Sequence, residues 1–337
     1  MRIAASGAVT GTPIDTLTEA ELDFLDRVAD VDGAPEISGG LLAIARGEDE
    51  SHDAQTASSV WRVYADDDST DGPTLIGFGI RALQGERHAA EFLIDPDHRG
   101  HGFGETLLKT ILTEQPEAWC WSHGDSPAAR RLAQKHGLGR DRVLYQMRTD
   151  SGLTLADLPE ATAPEGMSLR SFAPGDEAGW LRVNNAAFDW HPEQGSQTLD
   201  DIDAIVGADG FDPDSVILAV RDGETQQPNS DGESLQPNGD GEIIGFHETK
   251  LTDQGAGGRL GEVYVVGVDP SAHAGGVGRA LTVEGMRRMV AAGATAIELY
   301  VESDNAAALG LYERLGFHVA VAHVSYAPAS PTHSTQE

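Results

Sequence analysis

Ile94-Asp95-Pro96-Asp97-His98-Arg99-Gly100-His101-Gly102-Phe103-Gly104 recurs further along the chain as Val268-Asp269-Pro270-Ser271-Ala272-His273-Ala274-Gly275-Gly276-Val277-Gly278. The Asp-Pro pair and the last two glycines repeat 174 residues apart, each time after an apolar strand-like run and before a helical pattern. Self-similarity at so long a period marks a duplicated domain, not a solenoid of short repeats. The chain therefore contains its own homologue. A strand that ends in Asp-Pro and passes through close glycines into a helix presents backbone N–H groups at the helix start. Glycine permits positive φ and leaves no Cβ between the main chain and a ligand. Such N–H groups, aligned with the helix dipole, favour phosphate or pyrophosphate. A lone Gly-x-Gly is more often an ordinary turn. Two copies in matching context point to a pyrophosphate.

Working outward, Leu22, Leu25 and Val28 at helical spacing, with Phe24 alongside, predict a helix over 18–30, and Thr18 with Glu21 has capping-box spacing. Strands are expected at 58–66, 74–82 and 88–95, then a helix at 102–114, a strand at 118–122, a helix at 126–137 and a strand at 142–148. The order then repeats: helix 175–188, strands 215–221, 243–250 and 262–269, helix 277–292, strand 296–302, helix 305–315 and strand 318–326. These patterns divide the chain into an N-terminal domain at 1–150, a polar Gly- and Pro-bearing linker at 151–166 and a C-terminal domain at 167–327, with a disordered tail at 328–337. Within 222–242 a nine-residue unit beginning Asp-Gly-Glu repeats with almost no apolar content, the composition of an expanded loop that cannot order itself.

The 337 residues carry a formal charge of −32, which argues against nucleic acid and anionic membrane as partners. It does not argue against a phosphate held by backbone dipoles and a few local arginines. No apolar run is long enough for a membrane helix, and the start lacks a basic-then-apolar signal region. A cytoplasmic monomer is the expectation. Cys120 is the single cysteine, so an intrachain disulfide and a multi-cysteine metal site are excluded, and no metal is expected. Its setting, Ala118-Trp119-Cys120-Trp121, reads as a buried structural thiol.

Both loops resemble the acetyl-CoA pyrophosphate loop of the GNAT acyltransferases, Gln/Arg-x-x-Gly-x-Gly/Ala. The first fits as Arg99, Gly102 and Gly104; the second as His273, Gly276 and Gly278, with His in place of Gln or Arg. Asn305-Ala306-Ala307-Ala308-Leu309-Gly310-Leu311-Tyr312, running on to Leu315-Gly316-Phe317, resembles the family's helix along the CoA arm. The resemblance implies an α+β fold of two tandem GNAT domains, each a mixed, mostly antiparallel sheet flanked by helices. It implies acetyl-CoA contacts at Val266, Gly267, Val268, His273, Ala274, Gly275, Gly276, Val277, Gly278, Arg279 and Asn305 through Gly310 in the second half. In the first half the matching positions are Phe92, Leu93, Ile94, Gly100, His101, Gly102, Phe103, Gly104 and Glu105.

Acyl transfer to an amine needs a base for the ammonium, donors for the oxyanion and an acid for the departing thiolate. Glu262 opens a strand where the family carries its base, Tyr312 sits where it carries its acid, and Val266-Gly267-Val268 is where a splayed strand exposes an N–H. The duplication supplies a control. Shifting by 174 puts Glu262 on His88, and aligning Gly316 with Gly137 puts Tyr312 on Ala133 and Asn305 on Ser126. The first half is accordingly expected to bind cofactor without catalysis.

Longer strings narrow the resemblance to the mycothiol synthase branch of the family: Leu181–Phe188, His191-Pro192-Glu193-Gln194-Gly195, Gly261–Pro270 and Leu299–Ala307. That branch implies acetylation of the cysteinyl amine of a cysteinyl-glucosaminyl-inositol, with substrate contacts at Glu36, Glu193, Lys250, Glu262 and Tyr300. The alternatives are a tandem GNAT protein acting on another amine, and a non-catalytic acyl-CoA sensor.

Overall fold

The computed structural model describes residues 2–7, 17–33, 37–46, 58–65, 74–84, 87–189, 194–221 and 241–328, with the backbone alone at 2–7, Ala256, His273 and Ala274. The chain forms two compact units. One comprises residues 1–144 together with 321–337, the other residues 145–320. Among the described residues no helix is long and apolar enough to cross a membrane.

In the first unit β1 (Arg2–Gly7), β2 (Ser59–Ala65), β3 (Thr74–Gln84), β4 (Arg87–Ile94) and β5 (Trp119–Ser122) follow chain order across the sheet. All neighbours are antiparallel except β4 and β5, whose parallel pairing covers Ala89↔Trp119 and Ala90↔Cys120. One face is covered by α1 (Glu19–Asp32) and α2 (Gly39–Arg46), where Phe24, Leu25, Val28, Leu41 and Ile44 pack on Phe78 and Ile80. On the other, α3 (Phe103–Glu114) and α4 (Pro127–Lys135) bring Leu107, Leu108, Ile111 and Ala133 onto Trp61, Ile76 and Ile94. The capping box of α1 forms as the spacing predicts: Glu21 N–H donates to Thr18 Oγ1 at 3.3 Å and Thr18 N–H to Glu21 Oε2 at 2.8 Å.

In the second unit β7 (Met167–Ser171), β8 (Val216–Arg221), β9 (Glu242–Asp253), β10 (Arg259–Val268) and β11 (Ala294–Glu302) lie side by side in that order. Helices α5 (Glu177–Ala187) and α6 (Leu199–Gly207) cover one face through Trp180, Val183 and Ile202 against Leu218 and Phe246. Helix α7 (Val277–Ala291) and α8 (Ala306–Arg314) cover the other, with Val283, Met286 and Met289 packed on Val263 and Ile297. Helix and sheet approach closely here: a Cβ on Gly285 would stand 2.1 Å from the ring of buried His247.

Strands β6 (Leu138–Arg148) and β12 (His318–Pro328) depart from the layout the sequence suggests. Each was expected to close the sheet of its own half. Instead, Val324, Ser325 and Tyr326 pair with Ser122, Trp121 and Cys120, so the end of β12 completes the first unit. Tyr145–Arg148 of β6 flank β11 in the second. The stretch read as a linker, 151–166, is hydrogen-bonded into that same unit, Gly152 and Leu153 N–H donating to Thr295 O at 2.8 and 2.9 Å, and Thr149 N–H just before it donates to Ile297 O at 2.9 Å. Elements β1, α2, β7 and α6, which periodicity did not suggest, are short or carry glycine pairs or alternating small polar residues. The repeat at 222–240 and residues 329–337 lie outside the described residues.

Candidate functional site

The two glycine loops share one construction. Each opens on an Asp that accepts the N–H two residues on: Asp95 from Asp97 and Asp269 from Ser271, both at 2.9 Å. Each Asp is also gripped by an arginine from its unit's first helix, Arg27 on Asp95 and Arg182 on Asp269, the latter at 2.7 Å. Hydrogen bonds from Ser271, with Arg182 adding its charge, hold the Asp269 carboxyl down at about 2. The loops then end on a left-handed glycine, Gly102 at φ +88° and Gly276 at φ +77°, that starts the next helix without a side-chain cap. The first helical acceptors are reached only by Thr106 and Ala280, so the N–H groups of 103–105 and 277–279 are unused by their helices. A Cβ on either glycine would meet nothing within 4 Å, which leaves open space in front of those donors.

In the first unit this space widens into a cavity of about 660 Å³. Of the nine positions expected to hold cofactor there, Phe92, Leu93, Ile94, Gly100, Gly102, Phe103, Gly104 and Glu105 line it, and His101 does not. Glu105 would oppose a phosphate, but Lys109 and Lys135 bond to it at 2.8 and 2.6 Å and hold its carboxyl down at about 2. Ala133 and Cys120 also line the cavity, and burial pushes the Cys120 thiol up to about 12, as a structural cysteine requires.

In the second unit β10 carries the chemistry-bearing residues. Its register against β9 shifts between Val263 and Val265, so Tyr264 is an extra residue, a β-bulge. Its parallel pairing with β11 stops at Val263↔Leu299. From Val265 to Val268 the strand is paired to β9 alone, and Val266, Gly267 and Val268 turn an edge toward the gap. The bulge corrects the internal alignment. The last parallel pairs, Val263↔Leu299 and Ala90↔Cys120, are equivalent, and β4 runs without a bulge, so the counterpart of Glu262 is Ala89 and not His88. His88 falls on the opposite face of its strand.

Glu262 is half-buried, and burial, reinforced by Glu298 and opposed by Lys250, raises its carboxyl above the ordinary range. Lys250 stands directly across from it on β9 and lays its ammonium 3.0 Å over the Tyr264 ring. Burial raises Glu248 as well. On the β11 side Glu298 is the partner of Glu262 in register, and Tyr300 lies one step beyond it on the same face. The sequence reading did not include Glu298, Gln146, Arg148 or Arg182; the alternation Glu298-Leu299-Tyr300-Val301-Glu302 was the available signal for the first. Tyr312 sits on α8, its ring 5.8 Å from that of Phe317, and burial pushes its hydroxyl up to about 12. Asn305 is the N-cap of that helix, accepting from Ala308 N–H at 3.1 Å, with Ala306 through Gly310 following in its first turns. Glu36 and Glu193, and the side chains of His273 and Ala274, lie outside the described residues.

The acetyltransferase (GNAT) family model matches residues 42–138 and 188–317, once in each half. The chain belongs to the GNAT family. This GNAT acetyltransferase is 41% identical over 319 residues to the mycothiol acetyltransferase of Streptomyces avermitilis, covering 91% of this chain and 92% of that protein. It is 37% identical to the mycothiol acetyltransferase of Pseudarthrobacter chlorophenolicus, covering 91% and 90%. Its fold is similar to a GCN5-related N-acetyltransferase from Sphaerobacter thermophilus, with a TM-score of 0.65, 20% identity and coverage of 96% and 94%. It is also similar to a tandem GNAT protein from the clavulanic acid biosynthesis pathway, with a TM-score of 0.63, 14% identity and coverage of 96% and 97%. The tandem GNAT fold anticipated from the duplicated loop is thereby established, and with it an acetyltransferase that uses acetyl-CoA.

Proposed function

We propose that this GNAT protein transfers the acetyl group of acetyl-CoA to the cysteinyl amine of a cysteinyl-glucosaminyl-inositol, desacetylmycothiol, the last step of mycothiol biosynthesis, and that its second unit does so. The observation that carries the reading is the placing of Glu262. It lies one residue before β10 and β11 part, on the strand that runs into the uncapped Gly276 loop. A pyrophosphate on the N–H groups of 277–279 directs its pantetheine arm into that gap. Glu262, with a carboxyl that burial raises above the ordinary range, takes the ammonium proton. The amine nitrogen then bonds to the thioester carbon while an N–H from Val266–Val268 receives the oxyanion. As the C–S bond breaks, the thiolate takes its proton from Tyr312, whose hydroxyl stays neutral at working pH, and the second proton shed by the new amide nitrogen restores the tyrosine. Lys250 and Tyr300 line the acceptor side.

On this reading the first unit holds a second acetyl-CoA in its cavity and takes no part in the chemistry, since Ala89 and Ala133 occupy the places of Glu262 and Tyr312. The protein acts as a cytoplasmic monomer without a metal. The test is purified protein with acetyl-CoA and desacetylmycothiol, an aminoglycoside or a peptide amine, reading CoA thiol release. Fast release with desacetylmycothiol alone is the expected result. Release with another amine moves the substrate, and tight CoA binding without release makes the protein an acyl-CoA sensor.

A further inference from the structure

The face of the second unit's sheet that carries Glu262 is polar across four strands, with Glu248 and Lys250 on β9, Glu262 and Tyr264 on β10, Glu298 and Tyr300 on β11, and Gln146 and Arg148 on β6. Their neighbours Val263, Leu299 and Met147 turn to the opposite, α7-covered face. Within this platform Glu298 is held in an asymmetric way. Gln146 Nε2 donates to its Oε2 at 2.9 Å, Arg148 Nε donates to the same oxygen at 3.1 Å, and Arg148 Nη2 donates to it too. Its Oε1 has no protein partner among the described residues, although the side chain is only 12% exposed. Three donors on one oxygen fix the carboxylate plane and leave the other oxygen directed by that clamp, beside Glu262 in register.

We infer that Glu298, clamped through one oxygen by Arg148 and Gln146, is a further acceptor-binding group of this site, its free oxygen taking the ammonium or a hydroxyl of a polyhydroxylated amine. The inference rests on the proposed role of Glu262 as the base. Two carboxylates on adjacent strands hold a cation more tightly than one. Arg148, bonded to Glu298, offsets part of the repulsion between the two carboxylates. Burial raises the Glu262 carboxyl first, Lys250 opposes and Glu298 adds to it, which fits carboxylates that sense one another. Arg148 is a positioning residue: it acts on the acceptor through Glu298.

The test is steady-state kinetics on the full chain with the cysteinyl-glucosaminyl-inositol amine. Glu298→Gln should raise KM for the amine about tenfold or more, the range for a lost hydrogen bond to a charged group, while kcat at saturation stays within about threefold and KM for acetyl-CoA is unchanged. Because a like charge is removed, the acidic limb of its pH–rate profile should move to lower pH. Arg148→Met should raise KM for the amine in the same way, and Arg148→Lys should recover part of it. Unchanged KM for the amine in Glu298→Gln overturns the inference. So does an equal fall in kcat with both substrates' KM unaltered, which would mark a purely structural clamp. Glu262→Gln run alongside separates the two readings. If it stays fully active, the proposed base is wrong; if it is inactive while Glu298→Gln is normal, only the role of Glu298 falls.

Discussion

Single residues decide the chemistry, and two of them make opposite demands on their surroundings. As the proposed base, Glu262 must be a carboxylate to act, and burial holds it protonated to a higher pH than an ordinary glutamate. Turnover should therefore fall as pH drops, along a limb lying above the usual carboxylate range. Replacing Glu262 by Gln should lower kcat by about a hundredfold or more at neutral pH, with the deficit narrowing at high pH, because general bases contribute roughly 10²–10⁴. As the proposed acid, Tyr312 must instead keep its proton, which burial favours. Tyr312→Phe should slow turnover while acetyl-CoA affinity, measured by calorimetry, stays within about twofold; a collapse of affinity would make Tyr312 a packing residue of the CoA arm. His247 shows what burial does where no chemistry follows. Fully enclosed under α7, with Nδ1 2.9 Å from Leu281 O, its pKa is pushed down to about 4. The unfolded chain binds that proton near pH 6.5 and the folded chain does not, so stability is full above that pH and is lost as pH falls toward 4. Urea midpoints should drop across that window, by on the order of 3 kcal/mol from this one group, and His247→Met should flatten the dependence.

At the scale of elements, the two glycine loops invite a paired experiment. Gly102 and Gly276 both have positive φ and open space before them, so a valine at either meets backbone strain rather than a clash and puts its branch where a pyrophosphate would lie. Gly276→Val should abolish acetyl transfer, and Gly102→Val should remove one bound CoA per chain by calorimetry while most activity remains. Loss of activity in a folded Gly102→Val protein would assign catalysis, or tight coupling to it, to the first unit. These loops were legible from sequence because glycine, Asp-Pro and the following helix each leave a local signature. The braces on them were not: Arg27 and Arg182 lie 68 and 87 residues from their aspartates, and nothing local announces such a pairing. The bulge at Tyr264 was equally silent, and it alone decides which first-unit residue is the counterpart of Glu262 in the duplicated strand. Periodicity found the long helices and failed on α2 and α6, although Thr198 with Asp201 forms the capping box that could have revealed the latter.

At the scale of the whole molecule, the duplication was readable from the chain and the exchange of closing strands was not, since β6 and β12 have the same strand-like pattern whichever sheet receives them. A fragment of residues 151–337 therefore lacks Tyr145–Arg148 beside β11, and a fragment of residues 1–150 lacks the strand that pairs with β5. Each fragment made alone should be poorly folded by circular dichroism, and the two together should recover activity that neither shows. The same arrangement bears on the order in which the chain can fold as it is made. Residues 145–320 are contiguous, so the second unit can form as soon as its own stretch has left the ribosome. The first unit, though synthesised earlier, must wait with the edge of Cys120-Trp121-Ser122 unpaired until residues 324–326 arrive. The half made first is the half completed last, and during that delay an aromatic strand edge stands open to other nascent chains.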